Sequence, residues 1–313
     1  MNRETFLRLV PLTSAALALP GLSARAALLP LRVGATANDT YAEAYYAQDM
    51  GFFTKAGLDV TITTLRNGAE VAAGIASGAL DVGVSNPVQL ANAITHGLTF
   101  VYFAGGAFYN SEVPTTVLCV AKDSPLKNVK ELEGKTIALN ALKDISALGA
   151  QGYLADHGAD VSKVQFIELG FAEMGPALQK GTIAAGLISE PSLTAATTAG
   201  YARPFANVFD AIAKRFYISG WFTLEDWYKN HTAAAKQFAS AMYETARWAN
   251  AHQTDSAAIL AKYSKLKPDV ARIMARATYD TTLNPAYLQP ALQLAARAKL
   301  TDRLVTAAEM TAR

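Results

Sequence analysis

Gly78-Ala-Leu-Asp-Val-Gly-Val84 runs into Ser85-Asn86-Pro87, and Gly181-Thr-Ile-Ala-Ala-Gly-Leu187, with one more Ile188, runs into Ser189-Glu190-Pro191. Each stretch reads as a helix end, an apolar strand and a proline that opens the next helix, since proline's fixed φ and missing N–H suit the first helical turn. Two such units about a hundred residues apart point to two similar lobes.

Outward from these units the pattern alternates. Leu31–Ala35 is a short strand candidate. A helix to Met50 follows, with Thr40 and Glu43 at capping-box spacing and Gly51 as its stop. Leu58, Val60 and Ile62 alternate with polar residues as a half-buried strand does. Ala69–Ser77 is a helix, Leu80–Val84 a strand, Pro87 to Gly97 a helix and Leu98–Ala104 a strand. The pattern restarts with strands over Thr115–Ala121, Thr136–Leu139, Val164–Leu169 and Thr182–Ile188. Strands alternating with helices imply an α/β fold with parallel sheets. The last third is helical. Ala235, Phe238, Met242, Ala246 and Ala249 form one apolar stripe, and further helices are expected around Asp269–Ala277 and Pro290–Lys299.

Of the 313 residues, 51% are apolar and 17% charged, and the mean hydropathy is +0.14. That excludes a disordered chain and allows more than one domain. Residues 1–26 read as a secretory signal peptide: Arg3 and Arg8, an apolar run from Leu9 to Leu22, then Ala24-Arg25-Ala26. Without them the chain loses three arginines and one glutamate and its charge balances, so no basic face for nucleic acid is implied. The mature chain is expected to be periplasmic.

No catalytic or metal-binding constellation emerges. His96, His157, His231 and His252 each lie near a helix end without a ligand partner at metal spacing. Cys119, the one cysteine, sits inside an apolar strand. Val84-Ser85-Asn86-Pro87 lacks the final glycine of a nucleophile elbow, and no phosphate-binding glycine motif is present. No cofactor is expected, and a binder is favoured over an enzyme.

Open α/β sheets bind ligands beyond the carboxyl ends of their strands. The residues placed there are Asn38, Thr40 and Tyr41, then Arg66 and Asn67, then Ser85 and Asn86, then Phe108. In the second lobe they are Asn140, Phe171 and Glu190. Thr40, Ser85 and Asn86 could equally serve as helix caps, and Arg66 as a surface residue. The helix N-termini at Pro87 and Pro191 suit an anion.

Ala47-Gln-Asp-Met-Gly-Phe-Phe-Thr-Lys-Ala-Gly-Leu-Asp-Val60, Ala76-Ser-Gly-Ala-Leu-Asp-Val-Gly83, Val129-Lys-Glu-Leu-Glu-Gly-Lys-Thr-Ile137, Glu190-Pro191 and Trp221-Phe-Thr-Leu-Glu-Asp-Trp227 carry a family likeness. Through them the chain resembles the substrate-binding proteins of ABC importers that handle nitrate, aliphatic sulfonates, taurine and thiamine-pyrimidine precursors. The resemblance implies a two-lobed type II periplasmic binding protein fold with its cleft between lobes. It implies a first lobe over 27–119, a second over 120–216 and a return over 217–313, whose helices pack on the first lobe. It implies hinge closure on a small organic anion, a sulfonate or an aromatic or aliphatic carboxylate, and delivery to an inner-membrane permease with its ATPase. By position, the resemblance implies that Asn38, Tyr41, Asn67, Ser85, Asn86 and Glu190 hold the ligand. The alternatives are a thiamine-precursor pyrimidine, for which Glu190 could accept from an amino group, a sensor subunit, and an enzyme of pyrimidine synthesis. The last would need a cysteine-rich motif, and the chain has only Cys119.

Overall fold

In the computed structural model, which describes residues 27–312, the strands are β1 (Leu29–Ala35), β2 (Leu58–Thr64), β3 (Val82–Ser85), β4 (Phe100–Gly105), β5 (Ala107–Asn110), β6 (Thr116–Ala121), β7 (Thr136–Leu139), β8 (Gln165–Glu168), β9 (Ala185–Ser189), β10 (Ala202–Ala206), β11 (Arg215–Tyr217), β12 (Gly220–Leu224) and β13 (Thr278–Tyr279). The expected signal peptide lies outside the described residues. The described helices include none long and apolar enough to cross a membrane.

Two five-stranded sheets have the same plan, in the orders β2-β1-β3-β12-β4 and β8-β7-β9-β6-β10. In each, three strands run parallel and the fourth position is filled by an antiparallel strand. That strand is β6 in the second lobe, just arrived from the first, and β12 in the first lobe, just returned from the second. Each lobe is thus completed by a segment that has come from the other. The two proline-terminated strands of the sequence, β3 and β9, occupy the same third position. A short antiparallel sheet, β11-β5-β13, pairs the outgoing and returning segments, with Phe216 opposite Tyr109 and Tyr217 opposite Phe108. The boundary expected at 119/120 therefore falls inside β6, which lies wholly in the second sheet; the chain crosses between Asn110 and Thr116. The boundary expected at 216/217 falls inside β11.

The helix Thr232–Ala251 buries the stripe read from sequence, and Phe238 stacks on Phe53 of the first lobe with ring centroids 5.7 Å apart. The helix expected over Asp269–Ala277 is shorter, Pro268–Ile273, and Met274 is already extended. Hydrogen bonding explains why. Asp39, in the loop after β1, accepts from the Ala277 N–H at 2.5 Å, which removes that group from any helical ladder. The same carboxylate is paired with Arg276, Nη2 to Oδ1 at 2.9 Å, with both side chains buried. Arg276 also donates to Ser256 Oγ and to the Tyr46 hydroxyl, each at 3.0 Å, and Tyr279 OH donates to the Asp39 carbonyl. The capping box expected at Thr40 and Glu43 does not form. The helix there is Glu43–Asp49 behind a 3-10 turn at Asp39–Tyr41, and the Glu43 carboxyl turns inward to accept from Trp221 Nε1 at 3.0 Å.

Removing one member of a buried, hydrogen-bonded ion pair leaves the other charged group stranded. Arg276→Met is expected to lower the unfolding free energy by about 3–5 kcal/mol. Arg276→Lys should recover little of that, because an ammonium cannot make the forked contacts. Urea unfolding measures both, and a loss below about 1 kcal/mol would show that the pair does not anchor the C-terminal segment.

Candidate functional site

The carboxyl ends of the parallel strands of both lobes face one another. The first lobe contributes Thr36, Asn38, Thr40 and Tyr41 after β1 and Asn67 with Gly68 after β2. The second contributes Thr116, Asn140, Asp144, Ser146, Phe171 and Ser189. Together they line a cavity of about 30 Å³, too small to admit an organic molecule without movement of the lobes. A wider chamber of about 470 Å³ adjoins it and shares Thr36, Asn38 and Phe171.

Local rules place these side chains. Asn67 caps helix Gly68–Ala76 by accepting from the N–H groups of Ala69 and Glu70, both at 3.1 Å. Asn86 caps helix Pro87–Thr95, accepting from Gln89 N–H at 2.9 Å. That leaves its amide NH2 to donate across the cleft to Asp144 Oδ2 at 3.4 Å. Asp144 itself caps helix Ile145–Asp156, accepting from Ser146 N–H at 2.8 Å. Two helix N-termini, one per lobe, so meet through their caps. Tyr41 lies beside this pair. Burial and the Asp144 charge push its phenol up, against a hydrogen bond with Asn86. Burial pushes the Asp144 carboxyl up to about 7, although its bonds to Ser146 and Ala147 pull the other way. Thr36 Oγ1 is buried and has no hydrogen-bond partner.

Of the residues expected from sequence, Asn38, Thr40, Tyr41, Asn67, Asn140 and Phe171 border the cavity, and Asn86 reaches it through Asp144. Four are placed otherwise. Arg66 lines the adjoining chamber rather than the inner cavity, with 82% of its side chain exposed and paired with Glu70, four residues on. Phe108 is buried within the short sheet β11-β5-β13, stacked on Tyr217 at 4.9 Å with the Arg215 guanidinium 4.2 Å from its ring. Ser85 is buried behind the cleft, its hydroxyl donating to the Gly68 carbonyl at 3.3 Å. Glu190 is buried and turned away from the cavity. Its carboxyl accepts from Thr194 N–H and Oγ1 at 3.0 and 2.8 Å and from Ala275 N–H at 3.3 Å, while its carbonyl accepts from Asp39 N–H at 3.1 Å. Burial pushes it up to about 7, with Asp39 adding to the rise. Sequence reading missed Thr36, Asp144 and Ser146; an Asp two residues before a Ser at the head of an apolar helix is the capping signal that marks the last two. All four histidines end helices, with Nδ1 2.8–3.0 Å from the carbonyl four residues back.

Two α/β lobes, each completed by a strand from the other and closing on a cleft, are the type II periplasmic binding protein fold. The profile of the family described as NMT1/THI5 like matches residues 38–256, and the chain belongs to that family. Among solved structures it is similar to the periplasmic aliphatic sulphonate binding protein SsuA from Escherichia coli, at 19% identity over 91% of this chain and 92% of that one, TM-score 0.72. It is similar to the alkanesulfonate-binding protein SsuA from Xanthomonas axonopodis pv. citri bound to MOPS, at 19% identity over 90% and 97%, TM-score 0.75. It is also similar to the desulfurization enzyme DSZB, at 14% identity over 91% and 96%, TM-score 0.67. At these identities the likeness is one of fold. A search of curated protein sequences finds no match.

Asp144 and Glu190 are both held above their ordinary values, so the folded chain keeps protons that the unfolded chain releases. Their contribution to stability is complete below the ordinary carboxylate range and is lost as pH rises through about 7. Urea midpoints of the ligand-free protein are expected to fall between about pH 5 and about pH 8, and Asp144→Asn or Glu190→Gln should each flatten that slope. A slope unchanged in both variants would place the titration elsewhere.

Proposed function

We propose that this chain is the exported solute-binding protein of an ABC importer, closing over a small organic ligand and presenting it to a membrane permease. The observation that supports this most is the meeting of strand ends from both lobes around Asn86 and Asp144. A ligand there touches both lobes at once, and only contacts made in the closed form can shift the population toward it. The lining supplies amides, hydroxyls and one carboxyl, a set suited to orienting a ligand. The binder reading rests on this lining and on the likeness to SsuA; DSZB shows that the same fold also carries catalysis.

The lining also bears on ligand class. The described residues around the inner cavity include no Lys, Arg or His. Arg66, the cation expected from sequence, is exposed and neutralised by Glu70. Asp144 already occupies the N-terminus of its helix, the place an anion would take. These features favour an uncharged head with N–H donors, the aminopyrimidine alternative, with Asp144 in the accepting role expected of Glu190. The organic-anion reading stands second, supported by the MOPS-bound SsuA likeness and by the Pro87 helix N-terminus.

A thermal-shift panel of aminopyrimidines, sulfonates, nitrate and carboxylates separates the two. A ligand at one hundred times its Kd adds about 2.7 kcal/mol of stability. Aminopyrimidines are expected to bind, more tightly as pH rises through about 7 and Asp144 ionises. Asp144→Asn keeps the cap, since both residues cap well. It should nonetheless cost at least about tenfold in affinity, as a lost charge-assisted hydrogen bond does. The scattering radius of gyration should shrink on binding. Sulfonate binding unaffected by Asp144→Asn would put the anion reading first, and an unchanged radius would remove hinge closure.

A further inference from the structure

The chamber of about 470 Å³ next to the inner cavity falls in the size range of small-molecule sites and is built from both lobes. Its second-lobe wall is helix Phe171–Gln179 and helix Ser192–Thr198, and its first-lobe wall is the loop after β2 and the residues following helix Gln253–Ser264. The side chains here differ from those of the inner cavity. Leu65, Leu266 and Ala195 face it, with Arg66 and Lys265 also in its lining, and of the inner cavity's amides it shares Asn38 but not Asn67 or Asn140. Phe171 stands between the two volumes and borders both. So does Thr36, 7% exposed, whose Oγ1 has no partner. A buried hydroxyl left without a hydrogen bond costs stability, so its place at the junction marks where a ligand's polar atom belongs.

We propose that this chamber is a second subsite, taking the apolar tail of a ligand whose polar head lies against Asp144. The inference rests on the cleft reading above and deepens it. The ligand class is a heteroaromatic amine or amide bearing an alkyl or aryl substituent, joined through a polar atom that meets Thr36. Phe171 sets the passage between head and tail and is the residue that determines which substituents pass. Closure removes the tail from water, so each added methylene should tighten binding about fourfold until the chamber is filled.

Calorimetry with the mature chain and 4-aminopyrimidine, its 5-propyl and 5-pentyl derivatives, and a 5-alkoxy member tests this, with propanesulfonate and hexanesulfonate run alongside. The affinity is expected to climb with chain length. Ala172→Trp, at an exposed position on the chamber wall, and Ser192→Trp, on the other helix, should each abolish the climb while the unsubstituted head binds as before. The alkoxy member should exceed the alkyl member of equal length, and Thr36→Val should erase that difference. Binding of the head with no gain along either series, or a gain untouched by both tryptophans, overturns the subsite and leaves the cleft reading intact. A climb confined to the sulfonates keeps the subsite and overturns the head assignment. Failure of every probe to bind overturns both.

Discussion

Asp39 is the residue on which the geometry of the cleft turns. Its carboxylate holds Arg276 and the Ala277 N–H, its carbonyl accepts from Tyr279, and its own N–H donates to the Glu190 carbonyl of the second lobe. A buried charge persists only when paired and when its remaining lone pairs are filled, and here they are. The consequence is positional. Asn38, Thr40 and Tyr41 flank Asp39, so the pair that fixes the C-terminal segment also fixes three side chains of the candidate site. The link to the second lobe is of a different kind. Its hydrogen bonds include the Asp39–Glu190 backbone contact, the Ala275–Glu190 contact and the Asn86–Asp144 contact, each a single bond. Separating the lobes would break these and leave the ion pair whole.

The strand exchange would keep the lobes registered through the closure proposed for them. β6 and β12 are each interior to the sheet they enter, held on both edges by ladders, so neither crossing segment can slide. Any rotation would fall to what lies between, where β5 and β11 pair over three residues. Phe108, Tyr217 and Arg215 stack there, which stiffens the crossing and accounts for an aromatic residue that reads in sequence as a ligand contact. The last helix, Gln289–Arg297, packs on helix Pro87–Thr95 of one lobe and touches helix Ile145–Asp156 of the other, so it too bridges the lobes.

What was legible in sequence follows from periodicity and punctuation. The apolar runs ending in Pro87 and Pro191 marked β3 and β9 because buried parallel strands are continuous in hydrophobicity and the next helix needs a start. Asn67 and Asn86 were legible because strand ends and helix caps coincide in this class of sheet. Glu43 was misread: capping spacing is a local signal, and the burial of Trp221 Nε1, nearly two hundred residues on, demanded an acceptor. The end of helix Pro268–Ile273 was hidden for the same reason, since Asp39 takes the Ala277 N–H from a distance no local pattern reports. The partner of Arg66 was equally open to reading, because Glu70 stands four residues on, at ion-pair spacing.

The fold does not choose the ligand; the lining does. SsuA and DSZB share this architecture while their names describe a binder and an enzyme. On the proposed reading the discriminating feature is Asp144. Its carboxylate holds the N–H groups of Ser146 and Ala147, the donors an incoming anion would need. An anion bound at that helix would either displace the side chain, forfeiting its cap, or lie beside a carboxylate, which is tolerable only while that group is protonated. A neutral N–H donor meets neither obstacle. It finds an acceptor already oriented by its own helix, with Asn86 and Tyr41 alongside, and its binding favours the ionised form of a carboxyl that burial otherwise holds back.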